Sequence, residues 1–204
     1  MFSPGAAKLA VVAKVECKPI VTRLGTFAKA LSVGAVMLAL SRPALGLAEM
    51  TEKNLQIAAR SLAFMTGRST GTLRIAIVYA PEIAASKAEA DHLMAQMGSG
   101  LTAGRVTLIP LPPAQLRIAD LAALKDRDVA FVTDGLAAYH ATIADAAAAS
   151  HVVTVTTDLD CVTQAHCVMG VQSEPRVRVL INRAAAQRSA IEFAPGFRLL
   201  VTEL

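Results

Sequence analysis

Between Thr51 and Leu204 the spacing of apolar and polar positions changes period several times, and each change predicts an element. From Thr51 to Met65, Leu55, Ala58, Ala59 and Leu62 fall at i, i+3, i+4 and i+7. That spacing places them on one face of an amphipathic helix. Gly67 and the Ser69-Thr70-Gly71 run end it. Leu73 to Tyr79 is short, branched and almost continuously apolar, as expected of a strand buried on both faces, and Pro81 closes it. Ser86 with Glu89 three residues on reads as a capping box. The stripe Ala90, Leu93, Met94 and Met97 then gives the second helix, stopped by Gly98-Ser99-Gly100.

The alternation continues. Arg105 to Pro110 reads as a strand, Leu116 to Leu124 as a short helix, and Asp128 to Thr133 as another buried strand. Asp134 is placed to N-cap a helix carrying Leu136, Tyr139, Ile143 and Ala147, and His151 to Thr156 is the next strand. Strands alternating with helices imply βαβ units, hence an α/β fold with a mainly parallel sheet and helices on both faces. After Asp160 the order changes. Val168 to Gln172, the turn Ser173-Glu174-Pro175 and Arg176 to Asn182 read as an antiparallel hairpin, with Val177, Val179 and Ile181 on one face of its second strand. A short helix from Ala184 to Ser189 follows, and Phe193 to Leu204 is a last apolar segment expected to pack on the domain.

The first 46 residues have a different pattern. Lys18, Arg23 and Lys29 precede the apolar run Ala30 to Leu40, and Ala44, Gly46 and Ala48 supply small residues. Basic, apolar and small residues in that order define a cleavable signal peptide, with cleavage expected after Gly46. The competing reading is an uncleaved anchor, but the run falls short of the ~20 residues a spanning helix needs. The predicted organisation is therefore a signal peptide over 1–46 and one α/β domain over 47–204, with no membrane span after cleavage.

Cleavage alters both charge and cysteine parity. The chain holds 20 Lys+Arg and 16 Asp+Glu; six of the bases and one acid lie within 1–46, so 14 against 15 remain, a net charge of −1. The pI of 9.2 is thus a property of the leader, and the motive for a nucleic-acid partner disappears. Cys17 leaves with the leader. Cys161 and Cys167 then form an even pair in an exported chain and read as a disulfide. A metal site would draw on Cys161, His166, Cys167 and His151, yet zinc ligands usually pair at tighter spacing, and adjacent His166 and Cys167 are poorly placed to share one ion. A catalytic redox pair calls for C-x-x-C, whereas this is C-x₅-C.

Other candidate chemistry is sparse. Asp158 and Asp160 lie at a strand's carboxyl end, where open α/β sheets place ligands, although an acid there also caps turns. Arg183, Arg188 and Arg198 read as surface charge more readily than as a basic patch. Tyr139 and His140, adjacent on a helix, point ~100° apart and do not form an acid–base pair. His92 is expected on an exposed helix face. No nucleophile elbow, P-loop, dinucleotide fingerprint or H-E-x-x-H is present. The reading is of a protein that is not an enzyme, with no metal and no cofactor.

The tail Pro175-Arg-Val-Arg-Val-Leu-Ile-Asn-Arg-Ala-Ala-Ala186, followed by Ile191-Glu-Phe193 and Phe197-Arg-Leu-Leu200, resembles the end of the YfiR family. The cysteine loop before it, the helix from Leu55 to Phe64 and the strand from Leu73 to Val78 fit the same pattern. The family's Trp-Pro after the first helix is replaced by Ala63 to Gly67. The resemblance implies a periplasmic α/β protein, often a homodimer, with a disulfide at this loop. It also implies a partner, the periplasmic domain of a membrane-bound diguanylate cyclase, which the protein represses, so that it regulates cyclic-di-GMP signalling and biofilm formation. Architecture alone supports a second expectation: one lobe of a periplasmic solute-binding protein serving a transporter or sensor.

Overall fold

The computed structural model describes residues 49–67 and 71–204. The leader, its cleavage after Gly46 and Cys17 lie outside them. Thr51 opens the first helix, α1 (Glu52–Leu62), by accepting the N–H of Asn54 at 3.2 Å. The expected face is the buried one: Leu55, Ala58, Ala59 and Leu62 are all fully enclosed. The chain continues as β1 (Gly71–Tyr79), α2 (Ala84–Met97), β2 (Leu101–Ala103), β3 (Val106–Arg117), β4 (Val129–Val132), α3 (His140–Ala149) and β5 (Val153–Thr156). The last part comprises α4 (Leu159–Thr163), β6 (Met169–Gln172), β7 (Arg178–Ile181), α5 (Arg183–Arg188), α6 (Pro195–Arg198) and β8 (Thr202–Glu203).

The eight strands form one sheet in the order β2-β3-β1-β4-β5-β6-β7-β8. Strands β3, β1, β4, β5 and β6 run parallel, β2 and β7 pair antiparallel, and β8 returns parallel to β7. Two apolar layers sandwich the sheet. One gathers α1, α2, α5 and α6 around Ile75, Ile77, Phe131 and Val155. The other gathers α3, α4 and the 3₁₀ stretch Ile118–Asp126 around Ala76, Val78, Val132 and Leu136. Residues of both parities along β1 and β4 are buried, which explains their continuous apolarity.

Several local expectations are corrected. The stretch Ile118–Asp126 is 3₁₀ rather than α-helical, and β3 runs on to Arg117, past a register shift opposite Ala76. The side chain of Arg127 is threaded into that irregular stretch and donates to the carbonyls of Leu111 and Pro113. Asp134 does not cap α3, which begins six residues later; its carboxylate accepts the N–H of Gly135, a residue at φ 80°. The short edge strands β2 and β8 have no counterpart in the period analysis. The hairpin β6–β7 forms with Met169 opposite Ile181, but Val177 lies beyond the ladder and is exposed.

Candidate functional site

Cys161 and Cys167 are joined, with Cα atoms 5.2 Å apart and both residues fully buried. Local structure brings them together. Asp158 N-caps α4, its Oδ1 accepting the N–H groups of Asp160 and Cys161. After Thr163 the chain turns back, so that the N–H groups of His166 and Cys167 both donate to the Cys161 carbonyl. Five helical residues are too few to hold a helix by propensity. The bond therefore anchors α4 to the residue that leads into β6, and through it to the hairpin. Gly170 on β6 is required for this contact: a Cβ there would lie 2.9 Å from Leu159 Cδ2 and from Val162 Cγ2. Asn182 closes the arrangement by donating to the Val162 carbonyl while capping α5 through Ala185 N–H.

The remaining candidates are brought together only in part: His140 lies near Asp158 and near His166, their ring centroids 6.3 Å apart. His151 approaches the Ser189 carbonyl at 3.4 Å, at the C-terminal end of α5, and no metal-binding cluster occurs among the described residues. Arg198 pairs with Glu203 and lines one cavity with Arg183, whereas Arg188 donates to the Ala165 carbonyl. Tyr139 donates to Glu82 at 3.0 Å, while His140 turns inward, its Nε2 3.4 Å from Asp158 Oδ2 and without a hydrogen-bond partner. Burial lowers the His140 pKa and favours the neutral ring, against a smaller opposing pull from Asp158. His92 is exposed and contacts Gln96.

The structure adds a cluster that residue spacing did not identify. In an open sheet of this order the chain reverses direction between β1 and β4, and the crevice beyond their carboxyl ends is where such folds bind ligands. Ser86 and Glu89 lie there, and neither caps α2, whose N-cap is Ile83. Ser86 Oγ accepts the N–H of Ala80 and contacts Thr133 Oγ1 at 2.6 Å; Thr133 in turn donates to the Val78 carbonyl. Glu89 is 4% exposed. One carboxylate oxygen accepts the Met50 N–H at 2.8 Å and the other the Asp134 N–H at 2.7 Å. Burial pushes its pKa up to about 7, although both amides pull in the opposite direction. Both carboxylate oxygens of Glu89 are thus taken by the protein's own backbone.

Open surface is found instead around α1 and the C-terminal segment. Phe193 and Phe197 are buried, as the apolar tail predicts, but Leu199 and Leu200 are 87% and 79% exposed. Phe64, just past α1, stacks on Phe197 with ring centroids 4.6 Å apart and remains partly exposed. Val177 faces the outer side of α1 across an open groove of about 630 Å³, lined also by Lys53, Ile57 and Arg60. A smaller cavity of about 300 Å³ lies between Thr66, Arg183, Ile191, Phe193 and Arg198. Among the described residues no helix is long and apolar enough to cross a membrane.

No protein-family model and no curated protein matches the sequence. Solved structures share the fold, two of them as follows. A conserved domain protein from Vibrio cholerae superposes with a TM-score of 0.53 at 13% identity, covering 74% of this chain and 59% of that one. An ABC domain in complex with L-Trp, from Streptococcus pneumonia, superposes with a TM-score of 0.52 at 10% identity, covering 74% of this chain and 60% of that one. This chain aligns with only about three-fifths of either structure, and at these identities the likeness is to an α/β architecture.

Proposed function

We propose that this is an exported regulatory protein that acts by binding another protein: the periplasmic domain of a membrane-bound diguanylate cyclase, which it represses. The observation that carries this reading is the pair Leu199–Leu200. Two adjacent leucines standing almost fully in water cost the free domain hydration that a partner can relieve, about 1.5–3 kcal/mol for each side chain buried. They lie in the same C-terminal motif that carries the YfiR resemblance. Phe64 and Val177, near the two ends of α1, extend the apolar surface to the elements that the resemblance places at the family's opening and hairpin.

The test is genetic. Deleting the gene is expected to raise cellular cyclic-di-GMP and promote biofilm. A Leu199→Asp/Leu200→Asp variant, exported and folded like the wild type, is expected to fail to complement the deletion. Unchanged cyclic-di-GMP in the deletion strain would refute the reading. A second reading, a solute-binding lobe, is favoured by the likeness to the ABC domain solved with L-Trp. Tight binding of a small solute by the purified protein, with no effect of the leucine substitutions on cyclic-di-GMP, would support it.

A further inference from the structure

His140 is buried without being satisfied. Its side chain is 4% exposed, yet its Nε2 has no hydrogen-bond partner. Buried ring nitrogens are normally paired, so the orphan calls for an account. The nearest acid is Asp158, whose Oδ2 lies 3.4 Å from that nitrogen. The separation is long for a hydrogen bond, which spans about 2.7–3.2 Å. It suits two ligands of one ion: at about 2.1 Å from a tetrahedral centre, a nitrogen and an oxygen stand about 3.4 Å apart. Asp158 has this oxygen to spare, because Oδ1 is the one that caps α4.

The surroundings favour a cation. His140 opens α3 after β4, Asp158 follows β5, and the two strands are parallel neighbours. Both residues therefore stand at carboxyl ends of the sheet, the side on which open α/β folds bind ligands. The charged groups that act on the ring are Asp158, His166, Asp134 and Asp160. An unprotonated ring nitrogen beside carboxylates attracts a cation, and imidazole with carboxylate suits zinc and its neighbours. His166 is partly exposed, and its imidazole makes no hydrogen bond among the described residues. Its backbone is fixed by the N–H bond to the Cys161 carbonyl, so only side-chain torsions need turn to bring a nitrogen inward. We propose that His140 Nε2 and Asp158 Oδ2 seat a single divalent transition-metal ion of the zinc type, with His166 turning in as third ligand and water as the fourth. Two ligands are preset where a gathered cluster would have three, and the ion itself draws in the last. Once bound, it ties the first turn of α3 to the loop that carries the disulfide. Residue spacing did not reveal the site, since His140 and Asp158 meet only across β4 and β5. The inference does not depend on the identity of any protein partner.

Calorimetric titration of the untagged, purified protein with a zinc salt tests it. One zinc ion per chain is expected, with a Tm that climbs as free zinc rises, as linkage requires. His140→Gln, Asp158→Asn and His166→Ala are each expected to weaken binding by at least about ten-fold, which is the least that losing even an outer partner of the ligands costs a metal site. Asp158→Asn keeps an oxygen for the α4 cap. His166→Ala alters a partly exposed side chain, so it decides the question if His140→Gln does not fold. His151→Ala, beyond the other end of α3, is expected to bind zinc like the wild type. No saturable zinc binding, binding undiminished in any one of the three ligand variants, or binding lost in His151→Ala would each overturn the proposal.

Discussion

Opening the Cys161–Cys167 bond perturbs the protein at a point where its contribution can be worked out from the structure. The cysteines are six positions apart. On the loop-entropy account, closing so short a loop constrains the unfolded chain by about 2 kcal/mol. Both residues sit fully buried in the layer that contains Val132, Ile143 and Leu180. Replacing them with alanine therefore also leaves the space of two sulfur atoms, for a further ~1 kcal/mol or more. The double alanine variant is expected to lose about 3 kcal/mol, which for a domain of this size lowers Tm by roughly 6–12 °C. Urea unfolding of the wild type with and without reductant isolates the first contribution, and the variant adds the second. Thiol labelling of the denatured, unreduced protein is expected to find no free thiol in residues 47–204. Coincident oxidised and reduced midpoints, or two reactive thiols, would refute the reasoning.

Further expectations come from other residues. Glu89 has a folded pKa raised to about 7 from 4.5, so its contribution to stability is full below about pH 4.5 and is lost as pH rises through 7. The unfolding free energy of the wild type is expected to fall by about 2.5 kcal/mol from pH 5 to pH 8, and Glu89→Gln to remove most of that slope; denaturant titrations across this range check it. Gly170→Ala forces a methyl against Leu159 and Val162 and is expected to cost about 1–3 kcal/mol, measured as a lower urea midpoint. Asp128→Ala removes the acceptor of the Arg74 backbone N–H and of its guanidinium. The expected loss is about 1–3 kcal/mol by thermal unfolding, mostly from the orphaned backbone group, because the Arg74 side chain is half exposed and screened by water.

The candidate sites differ in how visible they were along the chain. The disulfide was legible because it depends on a short separation and was read together with an expected export signal, both taken from one dimension. The Ser86–Glu89 cluster was visible but misread. A serine followed three residues later by a glutamate is the spacing of a capping box, and the same spacing sets both side chains on one face of a helix already under way. Only the start of α2 at Ala84, two residues earlier, decides between them. Leu199 and Leu200 were misread in the opposite direction, since an apolar run counts as core until the element covering it is known.

The amino-acid sequence by itself determined the fold class, the buried face of α1, the continuous apolarity of β1 and β4, the β6–β7 hairpin and the cysteine pairing. Each follows from local periodicity or from a turn that operates over a few residues. The tertiary structure alone decided the placement of the edge strands β2 and β8, which at three and two residues are too short to show a period. It also decided that Glu89 lies beneath Met50, because β1 and β4 become neighbours only when β3 crosses to the other side of β1. Finally, it left Leu199 and Leu200 in water. The chain reaches the sheet's last edge there, α6 is a single turn, and no further layer among the described residues covers the two side chains.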